Sequence, residues 1–364
     1  MILGAKFFHY ELGFERPVAV GDSLHRSRSG FLLGLWDDEG HVGWGDAAPL
    51  PGWSRDSLAH VEVAFSSLAA AISDRPRSAE TLRDTAAAWS TRLPAARAAL
   101  DMALLDLAAR SQDISVAAFL VSGTLPAERV PVNSLIKGQT PDACGAAAAT
   151  AAREGFSVFK LKLGECLPSL DVERVAAVRD AVGPSAVIRV DVASRWDVET
   201  ALSALKLIEP FNIEYVEDPV AGIDELSQVA ANAAVPVAVD AMLAHDPDPF
   251  AVVAAVAADV FILKPSAIGG LVLSRQVATR IAEDGRSAVV TSFLDSAIGL
   301  TGAVHLVASL PPVLASGLAT SDLLAENVAE PPPIERGAIL VPTGPGFGIE
   351  PFRKGIIKRE RTEA

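Results

Sequence analysis

Two lysines stand at alternate positions of one short apolar run, VFKLKLG, which covers residues 158–164. Because side chains alternate across a strand, Lys160 and Lys162 point to one face of this run and its apolar residues point to the other. Two buried ammonium groups are costly unless anionic partners surround them. If the lysine face is an interior one, acidic side chains must lie beside it.

Three later apolar runs each end in an acid: VIRVD at Asp191, IEYVE at Glu217 and VAVD at Asp240. In a parallel barrel the carboxyl ends of the strands share one rim, where active sites are built. Three carboxylates there repel each other unless a cation lies among them, and hard oxygen ligands suit Mg²⁺, with Mn²⁺ as a substitute. A single acid after a strand is usually a helix cap or turn residue, but three on consecutive strands favour a metal site.

A further lysine, Lys264, ends the run DVFILK and is expected to enter the same cavity from another strand. Desolvation, a neighbouring ammonium and a divalent cation each disfavour a charged amine, so one lysine of the cluster can act as a base. A metal held by carboxylates can bind a substrate carboxylate and stabilise the dianion formed when its α-proton leaves. The predicted chemistry is proton abstraction from a small-molecule carboxylate.

The elements that must position these side chains alternate along the chain from about residue 130. Strand-like runs occur at VPVNSLI, SVFKLKL, AVIRVDV, IEYVED, VPVAVD, DVFILK and AVVTSF, with a weaker eighth at VLASGLAT. Helical patterns lie between them. This regular alternation predicts right-handed βαβ units closed into a (β/α)7β, TIM-like barrel of the α/β class rather than an open doubly wound sheet.

The remaining segments predict a second domain. Residues 1–125 contain a hairpin signal with its turn at Asp38–Gly40 and an amphipathic helix that begins near Pro94, so an α+β capping domain is expected there. Residues 126–321 form the predicted barrel domain. Residues 322–364 are rich in proline and glycine near their start, and we expect this segment to pack back on the capping domain.

Composition narrows the classes of protein. The chain has 364 residues, of which 50% are hydrophobic and 21% are charged, as in globular proteins. Its formal net charge of -14 argues against nucleic acid as a partner.

The N-terminus lacks the features of a signal peptide, and the most apolar run, PFAVVAAVAADVFILK, is too short and too charged to span a membrane. Cys144 and Cys166 follow no metal or redox spacing, so a cytoplasmic protein with reduced thiols is expected. The oligomeric state stays open.

With the Lys-x-Lys strand, the Asp/Glu/Asp set and Lys264, the sequence resembles the muconate-cycloisomerase-like branch of the enolase superfamily. Three segments narrow the resemblance to the o-succinylbenzoate synthase family: GWGDAAPLPGWS, TSFLDSAIGLTGAVHLVASL and ASGLATSDLL. The resemblance covers essentially the whole chain. It implies a lyase that performs Mg²⁺-dependent syn dehydration of 2-succinyl-6-hydroxy-2,4-cyclohexadiene-1-carboxylate in menaquinone biosynthesis.

The resemblance also implies a role for each charged residue. The three acids named above would bind Mg²⁺. Lys162 would remove the α-proton and then assist departure of the hydroxide. Lys264 would stabilise the enediolate from the other face by cation–π attraction, and Lys160 would tune Lys162 and touch the substrate carboxylate.

The family also implies where the substrate binds. Asn133, Ser292 and Phe293 are expected to contact it, and backbone amides around Ser292 and Phe293 are expected to receive the succinyl carboxylate. The stretch Gly21–Gly30 resembles the family's mobile loop, which closes over the substrate.

Three residues near the predicted metal ligands need separate interpretation. Ala193 stands where this family often has asparagine, so support of the metal ligands can differ here. Arg189 lies on the same strand face as Asp191, and it either pairs with a ligand carboxylate or balances charge inside the barrel. Asp218 is interpreted as a turn residue before Pro219 rather than as a ligand.

Alternative functions stay open at this stage. An N-acylamino acid racemase or a dipeptide epimerase needs an acid and a base on opposite faces, which Lys162 and Lys264 can provide. Dipeptide epimerases usually carry Asp-x-Asp at the end of the eighth strand, where this sequence has SGLATSDLL. Muconate cycloisomerase fits the hairpin segment less well. A non-catalytic binding protein on the same barrel would be expected to lack a ligand or the base, and here each is present.

Overall fold

The N-terminal part of the molecule is an antiparallel sheet covered by helices. The structure is a computed structural model, and it describes residues 1–20, 23–89, 92–121, 124–311, 313–351 and, by backbone alone, 357–361. The first elements are β1 (Ile2–Val20), β2 (Ser23–Asp37), β3 (Val42–Ala47), α1 (Leu58–Asp74), α2 (Ala79–Trp89), α3 (Pro94–Arg110) and α4 (Val116–Leu120). Residues 23–30 of the predicted mobile loop belong to β2, while residues 21 and 22 lie outside the described residues.

The predicted hairpin joins β2 to β3. The carboxylate of Asp37 accepts the backbone N–H groups of Glu39 and His41 at 3.0 and 2.9 Å, and Gly40 has a φ of 88° that glycine adopts without strain. Helix α3 lies directly on β3, because a Cβ atom at Gly45 would come within 1.9 Å of the Ala99 carbonyl oxygen. The predicted hairpin and helix are therefore confirmed, but the helix is not amphipathic, because α3 is buried on nearly every side.

The second part is the predicted barrel. After the short strand β4 (Arg129–Pro131), the strands are β5 (Ser134–Ile136), β6 (Val158–Lys162), β7 (Val187–Asp191), β8 (Ile213–Glu217), β9 (Val237–Val239), β10 (Val260–Leu263) and β11 (Ser287–Val290). Within the described residues, β5 to β11 pair in parallel and in chain order. The helices are α5 (Pro141–Arg153), α6 (Pro168–Val182), α7 (Val198–Ile208), α8 (Ile223–Asn232), α9 (Ala241–His245), α10 (Pro249–Ala255), α11 (Pro265–Ile268), α12 (Leu271–Glu283) and α13 (Ala297–Ser309).

The weak eighth strand closes this sheet. Ser316 forms a parallel bridge to Val132, just before β5, and Gly317 forms one to Thr291, just after β11. The backbone N–H of Gly317 donates to the carbonyl of Val290 at 2.9 Å. The closure confirms the (β/α)7β barrel and its capping sheet.

The opposite faces of β6 have opposite surroundings. Phe159 and Leu161 are buried in the core between the sheet and the helices. Lys160 and Lys162 point into the barrel instead. Deeper in the barrel lies a small apolar layer, composed of Tyr215, Ala238, Val260, Ile262 and Val289. The predicted orientation of the two lysines is therefore confirmed.

The C-terminal segment contacts both parts of the molecule. It contains β12 (Ile334–Glu335), β13 (Ala338–Leu340) and β14 (Ile357–Arg361). β13 pairs with β4, and β14 pairs with β1 at the edge of the capping sheet. The predicted domain boundaries themselves stay a prediction.

Both cysteines are free, and no helix among the described residues is long and apolar enough to cross a membrane.

Candidate active site

A cavity of about 200 Å³ opens at the carboxyl ends of the barrel strands. It brings together nine of the residues predicted from the sequence: Asn133, Lys160, Lys162, Asp191, Glu217, Asp240, Lys264, Ser292 and Phe293. Arg189 does not line it. A larger cavity of about 660 Å³ lies between the end of α13 and β4, but its described lining contains no carboxylate. The smaller cavity is therefore the candidate active site.

Strand register explains why distant residues meet here. Lys162 pairs with Asp191 across β6 and β7, and Asp191 pairs with Glu217 across β7 and β8. Asp240 directly follows β9 and Lys264 directly follows β10. Each strand thus delivers its charged residue to one rim, as the spacing predicts.

The three lysines differ in how tightly carboxylates hold them. The Lys160 ammonium lies 2.8 Å from Glu217 Oε2 and 3.0 Å from Asp191 Oδ2. The Lys264 ammonium donates to Asp240 Oδ2. Lys162 lies 3.8 Å from Asp191 Oδ2, and its side chain is 48% exposed, against 17% for Lys160. Lys162 is therefore the least tightly held of the three lysines.

The buried charges shift each other's pKa values. Burial lowers the pKa of Lys160, but Asp191 and Glu217 outweigh it and hold that pKa well above its ordinary value. Burial raises the pKa of Asp191, but Lys160 and Lys162 outweigh this effect and lower it to about 2. Burial raises the pKa of Glu217, Lys160 opposes the rise, and the carboxylates of Asp191 and Asp240 add to it. The carboxylates thus need positive charge among them.

The predicted metal ligands line one cavity but are bound by lysines. No three His, Cys, Asp or Glu side chains in the described part of the chain are arranged to hold a metal ion as they stand. The donor set nevertheless fits a hard divalent cation, because it consists of carboxylates alone. Asp240 Oδ1 is also buried without a hydrogen-bond partner, which leaves an acceptor for such a cation. Asp191, Glu217 and Asp240 are the residues that would hold Mg²⁺.

Asp218 does more than form a turn. It is buried, and its two oxygens accept the backbone N–H groups of Asp240 and Ala241, each at 2.9 Å. Burial and then the nearby Asp240 carboxylate raise the pKa of Asp218 to about 7. The interpretation as a simple turn residue is incomplete, since Asp218 supports the start of α9. Only the pairing of β8 with β9 reveals this contact.

Arg189 lies fully buried below the cavity. Its Nε donates to Glu214 Oε2 at 2.6 Å, and its Nη1 donates to Asn133 Oδ1 at 3.2 Å and to the carbonyl of Ala315 at 2.6 Å. Its guanidinium lies over the ring of Tyr215. Among the described contacts it pairs with no predicted metal ligand, so the structure favours the charge-balance interpretation.

The backbone amides of Ser292 and Phe293 already have partners. The Ser292 N–H donates to the carbonyl of Gly317 at 3.1 Å, as part of barrel closure. The Phe293 N–H donates to Asp295 Oδ2 at 2.9 Å. Both residues line the cavity. That backbone amides around them receive a substrate carboxylate stays a prediction, and the Ser292 and Phe293 amides would have to give up these partners to do so.

Sequence reasoning missed Arg28 as an individual residue, although it lies in the stretch Gly21–Gly30 that was predicted to be a mobile loop. This buried arginine donates to the carbonyls of Ala48 and Pro49 in the capping part and of Phe293 and Leu294 in the loop after β11. We call these five residues the carbonyl clamp. It fixes one wall of the cavity to the capping sheet. No periodic pattern reveals it, because its acceptors are main-chain atoms far apart in sequence.

Trp53 was also missed as an individual residue, although it lies in the segment GWGDAAPLPGWS. Its ring lines the cavity, and the centre of the ring lies 4.7 Å from the Lys264 ammonium. A residue of the capping part thus touches a charged residue of the barrel.

Comparisons with known proteins agree with this architecture. Residues 143–354 match the family model described as Enolase C-terminal domain-like, and residues 2–106 match the model described as MenC, N-terminal domain. The solved structure of a dipeptide epimerase from Cytophaga hutchinsonii, complexed with Mg and a dipeptide, superposes with a TM-score of 0.86 at 22% identity, covering 98% of this chain and 97% of the other. The chain belongs to the enolase superfamily.

Relatives in sequence narrow the family. An o-succinylbenzoate synthase from Thermobifida fusca is 37% identical over 238 residues, which is 64% of this chain and 70% of the relative. One from Mycobacterium tuberculosis is 37% identical over 208 residues, 56% of this chain and 61% of that protein's length. Within the superfamily, this chain belongs with the o-succinylbenzoate synthases, and it is an enzyme of the lyase class.

Proposed function

We propose that the protein dehydrates 2-succinyl-6-hydroxy-2,4-cyclohexadiene-1-carboxylate to o-succinylbenzoate, as a step of menaquinone biosynthesis. Its family membership and its cavity of lysines and carboxylates support this activity. Loss of water creates an aromatic ring, so the elimination is strongly downhill and needs little specialised acid catalysis.

The observation that carries the proposal is the placement of two lysines. Counting the segment at Ser316–Gly317 as the eighth strand of the closed barrel, β6 and β10 lie on opposite sides. Lys162 at the end of β6 and Lys264 after β10 therefore reach the cavity from opposite sides. A planar substrate between them would present one face to each amine.

The proposed role of each lysine follows from its contacts with the carboxylates. Lys162, the most loosely bound of the three, accepts the α-proton and then, as an ammonium, assists the departing hydroxide on the same face, which gives syn elimination. Lys264 stays opposite as a fixed positive charge, and the negative charge that develops on the substrate is stabilised from that side. Lys160 holds Asp191 and Glu217 in place.

Asp191, Glu217 and Asp240 would hold Mg²⁺, with Mn²⁺ able to substitute. When bound, the ion supplies positive charge for the substrate carboxylate and for its dianion.

We also propose that the chain is divided into a capping domain, residues 1–125 with 322–364, and a barrel domain, residues 126–321. The proposed binding partner is a small-molecule carboxylate.

The direct test is an assay of the purified protein with Mg²⁺, using the cyclohexadiene carboxylate and an N-succinylamino acid side by side. We expect conversion to o-succinylbenzoate and a loss of about 10³-fold or more in kcat for Lys162→Ala. Lys206→Ala, which removes an exposed lysine of α7, is the matched control. Near-normal turnover by Lys162→Ala would show that the base is another residue.

An N-acylamino acid racemase is the second candidate, because lysines on both sides of a substrate suit proton removal and return. In D₂O a racemase would exchange the α-proton of an N-succinylamino acid and invert its configuration. If this exchange is faster than dehydration of the cyclohexadiene carboxylate, racemisation is the main activity. A wild-type protein that converts neither substrate would point to a non-catalytic barrel.

A further inference from the structure

The Lys264 ammonium lies between a carboxylate and an aromatic face. It donates to Asp240 Oδ2 on one side, and the ring centre of Trp53 lies 4.7 Å away. A second ring, that of Phe293, lies 6.0 Å from the same nitrogen. The side chain of Lys264 is 13% exposed, so few other positions are open to it. An attraction between a cation and an aromatic face corresponds to roughly 2- to 30-fold in an equilibrium.

The turn that carries Trp53 is closed by its own hydrogen bonds. The carbonyl of Leu50 accepts the N–H groups of Trp53 and Ser54 at 3.1 and 2.8 Å, and Ser54 Oγ accepts the N–H of Leu50 at 2.7 Å. The carbonyl clamp of Arg28 holds the residues just before this turn. The indole is thus presented to the barrel by a fixed piece of backbone.

Neighbouring rings hold the indole on the barrel side. The ring of Phe293 lies 4.5 Å from that of Trp53, and the ring of His245 lies 4.3 Å from it. Phe293 follows β11 and His245 is the last residue of α9, so residues from two barrel elements contact Trp53 of the capping part. Its position is therefore set from both parts of the molecule.

We propose that Trp53 is a positioning residue for Lys264: its indole face and the Asp240 carboxylate hold the ammonium in one place opposite Lys162. The capping part thereby completes the catalytic arrangement of the barrel. The inference deepens the proposed function and rests on it for the reaction in which Lys264 takes part. Because Lys264 acts on charge that develops in the transition state, its displacement lowers kcat more than it raises KM.

The kinetic test compares Trp53→Leu with Trp53→Phe. We expect Trp53→Leu to lower kcat by ~10-fold with a change in KM below ~3-fold, and Trp53→Phe to recover most of kcat because a phenyl ring keeps an aromatic face. Trp89→Leu, which removes a partly buried indole at the end of α2, is the matched control. Wild-type kcat in Trp53→Leu, or no recovery in Trp53→Phe, would overturn the proposal.

A second measurement needs no turnover. In protein labelled with 5-fluorotryptophan, the ¹⁹F signal of Trp53 is assigned by its loss in Trp53→Phe. We expect Lys264→Met to shift this signal and Lys206→Met to leave it in place. An unmoved signal in Lys264→Met would overturn the contact itself. If the wild-type protein fails to dehydrate the cyclohexadiene carboxylate, the proposed function falls, and the ¹⁹F shift still decides whether Trp53 and Lys264 interact.

Discussion

The carboxylate of Asp218 accepts a hydrogen bond of 2.9 Å from the backbone N–H of Asp240. Glu217, the last residue of β8, and Asp218, which follows it, therefore have different roles. Glu217 faces the cavity, while Asp218 turns to the next strand and fixes the backbone from which Asp240 reaches inward. A backbone φ of 41° at Asp218 allows this turn.

Asp218→Asn is expected to weaken the metal site. An amide offers one acceptor where the carboxylate offers two, so one of the N–H groups of Asp240 and Ala241 loses its partner. We expect the Mg²⁺ concentration for half-maximal activity to rise about tenfold, as for other residues that orient metal ligands. Asparagine tolerates a positive φ, so backbone strain does not confound the result. Asp224→Asn, at an exposed acid of α8, should leave the Mg²⁺ requirement unchanged.

Arg28→Met is expected to destabilise the protein and loosen the cavity wall. It leaves buried carbonyls of the clamp without donors, each of which costs about 1–3 kcal/mol. We expect the free energy of unfolding to fall by at least about 2 kcal/mol in urea titrations, with a higher KM. Arg26→Met removes an exposed arginine of the same strand and should change neither quantity. Equal stability of the two variants would contradict the clamp.

Ala193→Asn is expected to stabilise the protein. Ala193 is exposed and has a φ of 52°, a conformation that costs an alanine about 1–2 kcal/mol and that asparagine tolerates better. We expect a gain of about 0.5–1 kcal/mol in the free energy of unfolding, because the strain at this φ is reduced. The hydrogen bond from the backbone N–H of residue 193 to Asp191 Oδ1 is kept. Ala146→Asn, at an exposed site inside α5, should instead lose stability, since asparagine is a poor helix former. A loss in both variants would argue against strain at residue 193.

His305 is expected to make stability depend on acid pH. Burial lowers its pKa to about 4, although the Phe347 carbonyl opposes this. The unfolded chain binds the proton near pH 6.5 and the folded protein near pH 4, so the stability that neutral His305 provides is present above about pH 6.5 and is lost as pH falls towards 4. Over this pH range the free energy of unfolding loses about 3 kcal/mol through His305.

Several buried acids titrate in the same window with the opposite sign. Burial raises the pKa values of Asp46, Asp101 and Asp106 to about 6 and that of Asp218 to about 7, so the folded protein gains stability as they protonate. The measurement is therefore the difference in free energy of unfolding between wild type and His305→Gln across pH 4 to 7. This difference should shrink as the pH falls. A difference that stays constant across this pH range would refute the prediction.

Several features could be predicted from the sequence because they depend on local periodicity. Alternation in β6 predicts that Lys160 and Lys162 face one way, and acids at strand ends predict a shared rim, since both follow from strand geometry alone. The barrel and the cavity that these residues line follow from the same patterns. The roles of the residues in metal binding and catalysis stay predictions.

The sequence by itself determined which charged residues enter the barrel, because strand period and strand order decide that without knowledge of distant contacts. Only the tertiary structure decided what each of those charges touches. Asp218 reaching the backbone of Asp240, Arg28 reaching four carbonyls, and Trp53 lying on Lys264 all join segments that are far apart along the chain. Hydrogen bonds to main-chain atoms and contacts with ring faces leave no repeating pattern in the sequence, so folding alone brings them together.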